Sequence, residues 1–424
     1  MLWRLVPWLG VGLAATACFV PFLLRRYSEW ESVYVPAAQR LLLGQPLYLD
    51  HDPYLYPPFA AIMALPWAMM PAWLGRLLWL ALNAGCLGLI LGLGWKIAGG
   101  SREDTSRRDW WAWAIGLGCG GLALQNSLAH QQTDVLLAAL QIAGLWLLMQ
   151  RRDALAGTLF GLAAALKCTP LLWLPYLLWR ARWRGVVALI TVGLGVSLLA
   201  DLWVKPNSGT WLEQYAQRVS TARTLGVWGT DPIYNQSLVG SLLRWSTVQV
   251  QAQPGGGLRT HVCPEALDHS GHHQMWIPLV GCLLVVTLVC VGRPGEVTPE
   301  ALAWEGACVL LLALLLSPMS GPAHFGTQIL AGFLLARGTG VTRLLALLVA
   351  VLSLLGAKDL VRATVYDYAL YFGHWTIGCL LLLVGCWWGR YRVKSSAMSS
   401  VTGAKHPEPM VKAARHPEPI AKAA

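Results

Sequence analysis

Long apolar runs alternate with short polar connections along the chain, and their lengths predict its architecture. Segments near 73–95, 110–128, 134–149, 155–179, 186–204, 276–292, 304–317, 325–336, 343–357 and 375–390 are apolar, and many approach the roughly 20 residues that carry a helix across a bilayer. The opening stretch MLWRLVPWLGVGLAATACFV has no small-residue cleavage site before the next charges, so it reads as a retained first span rather than a signal peptide. The stretch 59–71, closed by Pro71, is too short to cross and reads as a helix in the outer interface. The run 155–179 has Arg151 and Arg152 before it and Arg180, Arg182 and Arg184 after it. A single crossing leaves one basic cluster on the wrong side. The run is therefore expected to break around Lys167, Thr169 and Pro170, where a residue preceding proline resists helix, and to fold back as two short helices. The result is an all-α polytopic membrane protein with about twelve transmembrane helices and two long outer loops.

Composition agrees. Charged residues make up 12% of the chain, about half the roughly 25% of a soluble domain. With 56% hydrophobic residues and a mean hydropathy of +0.50, an ordinary soluble protein is excluded. A net charge of +11 raises the question of a polyanion partner. Assigned to sides of the membrane, however, the predicted cytoplasmic segments hold 20 basic and 9 acidic residues, so they account for the whole excess. The charge thus sets orientation, with both termini cytoplasmic in a plasma (inner) membrane, and no nucleic acid is implied. Histidine is distributed the other way: His51, His130, His261, His269, His272, His273, His324 and His374 fall on the outer side. Nine of the ten cysteines lie in apolar segments, so no disulfide framework is readable. The tail repeats KHPEPMVKAA as RHPEPIAKAA and has the composition of a disordered segment. The chain accordingly divides into a membrane module at 1–204 that includes outer loop 25–58, an outer loop at 205–275, membrane helices at 276–390 and a disordered cytoplasmic tail at 391–424.

Candidate chemistry concentrates on the outer side. Glu29 and Glu31 sit just beyond the first span, where a carboxylate can act as general base on a sugar hydroxyl; the alternative is a solvated loop beside Arg25 and Arg26. Polar residues within apolar surroundings are costly in lipid and mark sites. They occur in GLALQNSLAHQQTD (Gln125, Asn126, His130, Gln131, Gln132, Asp134), around the isolated Lys167, in IYNQSLVGSLLRW (Asn235, Gln236, Arg244) and in LLLSPMSGPAHFGTQIL (Ser317, Ser320, His324). The cluster HVCPEALDHSGHHQ fits no standard zinc spacing. No phosphate-binding glycine loop or serine nucleophile elbow occurs, so no cofactor is expected and a divalent metal has no supporting pattern.

Taken in order, YVPAAQRLLLGQPLY, YPPF, LQNSLAHQQTDVLLAAL, the Lys-Cys-Thr-Pro-Leu-Leu stretch ending in WRARWRG, YNQSLVGSLLRW and LSPMSGPAHF resemble the family 87 glycosyltransferases, mannosyltransferase-like membrane enzymes of the GT-C superfamily. The resemblance implies a GT-C-type fold with a catalytic first outer loop and a seven-helix module. It also implies a polyprenyl-phosphate sugar donor, typically mannose, a glycolipid or glycan acceptor at the outer face, and inversion at the anomeric carbon. By the same carry-over the base is Glu29 or Glu31, with a second acid where members often have Asp followed by an aromatic. Lys167 matches the family lysine and His324 the His after the Ser-Pro motif. Because the charge of a leaving phosphate needs nearby cations, Lys167, His324 and Arg244 are expected to bind the donor phosphate, and Tyr56, Gln131, Asn235 and Gln236 are expected to bind substrate. The competing expectation is a transporter or flippase of a lipid-linked or glycan substrate, which the one-sided polar groups disfavour.

Overall fold

The computed structural model describes residues 19–20, 22–24, 28–49, 53–101, 103, 106–206, 209–220, 232–252, 258–262 and 271–403. The architecture is helical. A π-type turn (Trp30–Tyr34) leads into α1 (Val35–Leu42), α2 (Pro58–Ala68), α3 (Ala72–Ile97), α4 (Arg107–His130), α5 (Asp134–Met149) and α6 (Asp153–Leu166). Next come α7 (Trp173–Trp179), α8 (Trp183–Ser197), α9 (Leu199–Trp203), α10 (Trp211–Ser220) and α11 (Leu238–Thr247). An antiparallel ribbon of β1 (Val248–Ala252) and β2 (Leu258–Val262) precedes α12 (Gly271–Val291), α13 (Pro299–Leu316), α14 (Gln328–Arg337), α15 (Val341–Leu354), α16 (Ala363–Phe372) and α17 (His374–Gly403).

Among the described residues, Ala72–Ile97, Trp183–Trp203 and Pro299–Leu316 are each long and apolar enough to cross a membrane, and the bent pair Ala363–Phe372 with His374–Ser395 makes a fourth. Other apolar helices, including α2, α5, α6 and α15, are shorter. The segment expected as a plain outer loop, 205–275, contains α10, α11 and the ribbon, while residues 263–270 of its histidine cluster, His269 among them, lie outside the described residues. The last helix runs past the expected boundary at 390 to Gly403. The tandem repeat of the tail lies outside the described residues.

Local sequence accounts for the ends that matter. Ser106 caps α4 by accepting from the Asp109 amide at 3.2 Å, and Thr298 caps α13 by accepting from the Ala301 amide at 3.2 Å, with Pro299 in the first turn. Each cap satisfies a backbone donor the helix itself cannot. The helix of residues 153–166 stops because Lys167 is extended (φ −157°, ψ 130°). Asp153 begins α6 and Arg182 precedes α8, and the two side chains pair at 3.5 Å. Both ends of the 153–182 stretch therefore meet at one end of the molecule with the break at Lys167 at the other, the fold-back that the flanking arginines demanded. After the fold-back, α8 runs alongside α6 in the same direction, and the two touch through glycine: a Cβ on Gly157 would sit 2.1 Å from the Gly185 carbonyl oxygen, and one on Gly161 2.7 Å from that of Leu189. Such small-residue contacts bring backbones close where apolar burial offers no drive.

Helices α13 and α14 form the centre and are buried on nearly every face, as helices that are apolar all round require. Phe333 of α14 packs edge-on to Trp95 and Trp113. One carboxylate stands out in α13. Glu305 accepts from Arg180 Nε (2.8 Å) and Nη2 (2.7 Å), from Arg390 Nε (2.6 Å) and from Tyr176 Oη (2.9 Å). The same Arg180 also donates to the Arg293 and Val291 carbonyls. This network ties α7, α12, α13 and α17 together at the end of the molecule opposite Lys167.

Removing one member of a buried ion cluster strands the others in low dielectric, at a cost of about 3–5 kcal/mol. Glu305→Ala is expected to lower the thermal midpoint of the detergent-solubilised protein sharply. Arg151→Ala, which breaks the exposed pair with Glu296, should leave the thermal midpoint nearly unchanged, because solvent screens such pairs.

Candidate active site

The site is assembled around a turn of four residues. Helix α4 ends at His130, and Gln131 takes a left-handed conformation (φ 54°) that reverses the chain before α5 starts at Asp134. Four successive side chains then reach outward. Gln131 donates to the Phe22 carbonyl (2.8 Å) and accepts from Ser28 Oγ (2.6 Å). Gln132 Nε2 donates to Glu29 Oε2 at 2.6 Å. Thr133 Oγ1 shares a hydrogen bond with Tyr34 Oη at 3.1 Å. Asp134 Oδ1 accepts from Lys167 Nζ at 3.0 Å, and its Oδ2 lies 3.7 Å from His324 Nε2. Three residues of the turn thus hold the segment 22–34, and the fourth pairs with Lys167 and faces His324.

Glu29 has a donor on each oxygen, since Tyr56 Oη donates to Oε1 at 2.6 Å. Burial, and then the adjoining Glu29 carboxylate, hold the Tyr56 phenol well above its ordinary pKa. Tyr56 therefore remains a proton donor to Glu29 at any ordinary pH. It is itself fixed: Tyr48 Oη donates to its carbonyl at 2.9 Å and the Tyr34 ring lies 4.5 Å from its own. Trp30, next to Glu29, stacks on Trp79 of α3 with centroids 3.8 Å apart. The second acid is elsewhere engaged. Glu31 accepts a bidentate pair from Arg76 Nε (2.9 Å) and Nη2 (2.5 Å).

Lys167, Asp134 and His324 open onto a small cleft whose wall includes Thr169, Ser317 and Ser320. The three side chains keep 12–16% exposure, enough to be reached from the cleft. Thr327 also lines it, and its Oγ1 is buried with no partner among the described residues. The Lys167 ammonium and the His324 imidazole lie at close range and could hold an anionic leaving group, Lys167 by charge and His324 by a hydrogen bond. Among the described residues no group of three metal-ligating side chains occurs.

The remaining nominated residues form the scaffold behind His324. Asn235 Oδ1 accepts from the amides of Ser237 and Ser320 (both 3.1 Å), and its Nδ2 donates to the Pro318 carbonyl at 3.0 Å. Gln236 donates to the Ile233 and Leu370 carbonyls, both at 2.8 Å. Arg244 is fully buried and donates to the carbonyls of Tyr371 (2.7 Å) and Asn235 (2.6 Å). None of these three lines the cleft. The structure brings Glu29, Tyr56, Gln131, Lys167 and His324 together around one turn, and sets Glu31 and Arg244 apart from it. Gln132 and Asp134 were legible only as part of a polar turn. The signal for Asp134 is an acid opening an apolar run, two helices before an isolated lysine.

Comparison with known proteins follows the same motifs. The sequence profile of glycosyltransferase family 87 matches residues 54–318, more than half of the chain. The chain belongs to glycosyltransferase family 87. That family match includes Tyr56, the 131–134 turn, Lys167 and Asn235, and it begins after Glu29 and ends before His324. A polyprenol-phosphate-mannose-dependent α-(1-2)-phosphatidylinositol pentamannoside mannosyltransferase of Mycobacterium tuberculosis is 31% identical over 156 residues. The alignment covers 35% of each chain, so this family 87 member matches about a third of that relative's length. Among solved structures, ArnT from Cupriavidus metallidurans bound to undecaprenyl phosphate is similar at 16% identity and a TM-score of 0.41, over 94% of this chain and 81% of that one.

Because Asn235 ties two loops through three hydrogen bonds, Asn235→Ala leaves buried backbone groups unpaired. Expected is a loss of roughly 1–3 kcal/mol, read by thermal denaturation in detergent.

Proposed function

We propose that this protein is a membrane glycosyltransferase that moves a sugar, mannose by preference, from a polyprenyl-phosphate donor to a glycolipid or glycan acceptor at the outer face of the plasma (inner) membrane. The observation carrying this reading is that one short turn gathers a carboxylate, Glu29, a cation, Lys167, and an imidazole, His324, at the same end of an apolar helical body. The family membership and the donor named for the mycobacterial relative support the same chemistry. Both termini are assigned to the cytoplasm, which puts the site on the outer side and the Arg180–Glu305–Arg390 network on the inner one.

The mechanism follows from the groups present. Glu29 takes the proton of the acceptor hydroxyl as that oxygen attacks the anomeric carbon. The bond to the phosphate oxygen breaks on the opposite face of the ring, so configuration inverts. A phosphate leaves without being protonated, but its charge has to be stabilised, and Lys167 and His324 are disposed for that. Asp134 is paired with Lys167, and an arriving phosphate competes with it for the ammonium. The pairing of Glu31 with Arg76 favours Glu29 as the base. Asn235, Gln236 and Arg244 act by supporting the His324 loop.

Membranes carrying the protein are incubated with radiolabelled polyprenyl-phosphate mannose and extracted lipid acceptors. Glu29→Gln is expected to lower transfer about 10²–10⁴-fold, the range for losing a general base, and Lys167→Ala about 10²–10³-fold, as for losing one charge-stabilising group. Transfer in Glu31→Gln should stay within a few-fold of wild type. Retained transfer in Glu29→Gln with loss in Glu31→Gln moves the base to Glu31, and unchanged transfer in every variant rejects the assignment.

A further inference from the structure

One polar atom beside Glu29 has no partner in the protein. Gln132 spends its amide nitrogen on Glu29 Oε2, while its carboxamide oxygen is buried and accepts nothing among the described residues. A buried acceptor left open costs about 1–3 kcal/mol, so such atoms in native sites call for a missing donor. The amide cannot readily turn away to find one. Its backbone N–H is held by the Ser127 carbonyl at 3.0 Å, and the side chains on either side, Gln131 and Thr133, are bonded to Ser28, Phe22 and Tyr34. Exchanging its oxygen and nitrogen would point the oxygen at the Glu29 carboxylate, which offers no proton. The orphaned oxygen is therefore a fixed acceptor bonded, through its own amide, to the carboxylate that serves as base.

We infer that Gln132 Oε1 accepts a hydrogen bond from a second hydroxyl of the acceptor sugar, next to the one that Glu29 deprotonates, and so selects which acceptor hydroxyl attacks. The inference rests on the proposed role of Glu29. A pyranose offers neighbouring hydroxyls a few ångströms apart, which matches a carboxylate oxygen and a carboxamide oxygen joined by one hydrogen bond. Gln132 holds Glu29 on one side and the acceptor on the other, so regiochemistry is set by the same amide that orients the base. Lys167 and His324, assigned to the donor phosphate, meet Asp134 and not Gln132, which is why the hydroxyl is assigned to the acceptor rather than to the donor.

The test is a cycle between protein and acceptor. Transfer to octyl mannoside and to its monodeoxy analogues, each lacking one hydroxyl, is measured for wild type and for Gln132→Met, with folding followed by thermal denaturation. In wild type, one analogue other than that lacking the attacked hydroxyl should lose about 10- to 100-fold in kcat/KM, the equivalent of one buried hydrogen bond. That same analogue should lose no more than about two-fold in Gln132→Met, because the contact is already gone. KM for the donor should stay unchanged. Wild type needs no variant to fold: if no single-hydroxyl loss of this size occurs, the inference fails. It also fails if the losses multiply independently in the variant, or if a deoxy donor sugar rather than a deoxy acceptor shows the coupling. Absence of Glu29-dependent transfer to every acceptor rejects the proposed function as well, whereas active enzyme with uncoupled losses rejects only the Gln132 contact.

Discussion

A lysine buried among apolar helices is tolerated only beside a negative charge, and the pairing of Lys167 with Asp134 is the constraint on which the site depends. It draws the break after α6 against the start of α5. Because Asp134 closes the turn that begins at Gln131, the same pairing fixes the direction in which Gln131, Gln132 and Thr133 face. Those three side chains in turn seat the segment that carries Glu29. The spatial relation of Glu29 to Lys167 and His324 is thus set by four consecutive residues rather than by the packing of distant helices. A turn with a left-handed residue at its head is stiff, and stiffness is what the proposed displacement requires of groups on opposite sides of a reacting carbon.

The same electrostatic rule is applied twice. At the end of the molecule away from the cleft, Glu305 is enclosed by Arg180, Arg390 and Tyr176 with every charge satisfied. That network is saturated and closed. Around Asp134, Lys167 is paired but it and His324 are still reachable, and Gln132 and Thr327 each leave a buried oxygen without a partner among the described residues. Saturation in one place and open valences in the other separate a structural ion cluster from a site built to receive a ligand.

Much of this was legible in the chain. Apolar runs marked most of the helices, and the arginines flanking 155–179 forced the break at Lys167, because basic clusters on both sides leave no other consistent path. The polar motifs pointed to the turn, to Lys167 and to His324. What the pattern could not supply was pairing across long separations. Glu29 and Glu31 are equivalent as sequence until Arg76, 45 residues on, claims Glu31. Arg244 reads as a phosphate ligand until its guanidinium is seen bonded to backbone carbonyls. Asn235 and Gln236 read as substrate contacts because an amide in an outer loop gives no sign of which carbonyl it will meet. The helices and ribbon within 205–275 were hidden by their mixed polarity.

The central claim is a single displacement in which the carboxylate and the phosphate-binding cations act on opposite faces of the donor sugar. It is tested most directly by the anomeric configuration of the product formed from a β-linked polyprenyl-phosphate mannose, read from the one-bond carbon–proton coupling at the new linkage. An α-linked product is predicted; a β-linked product would contradict the account.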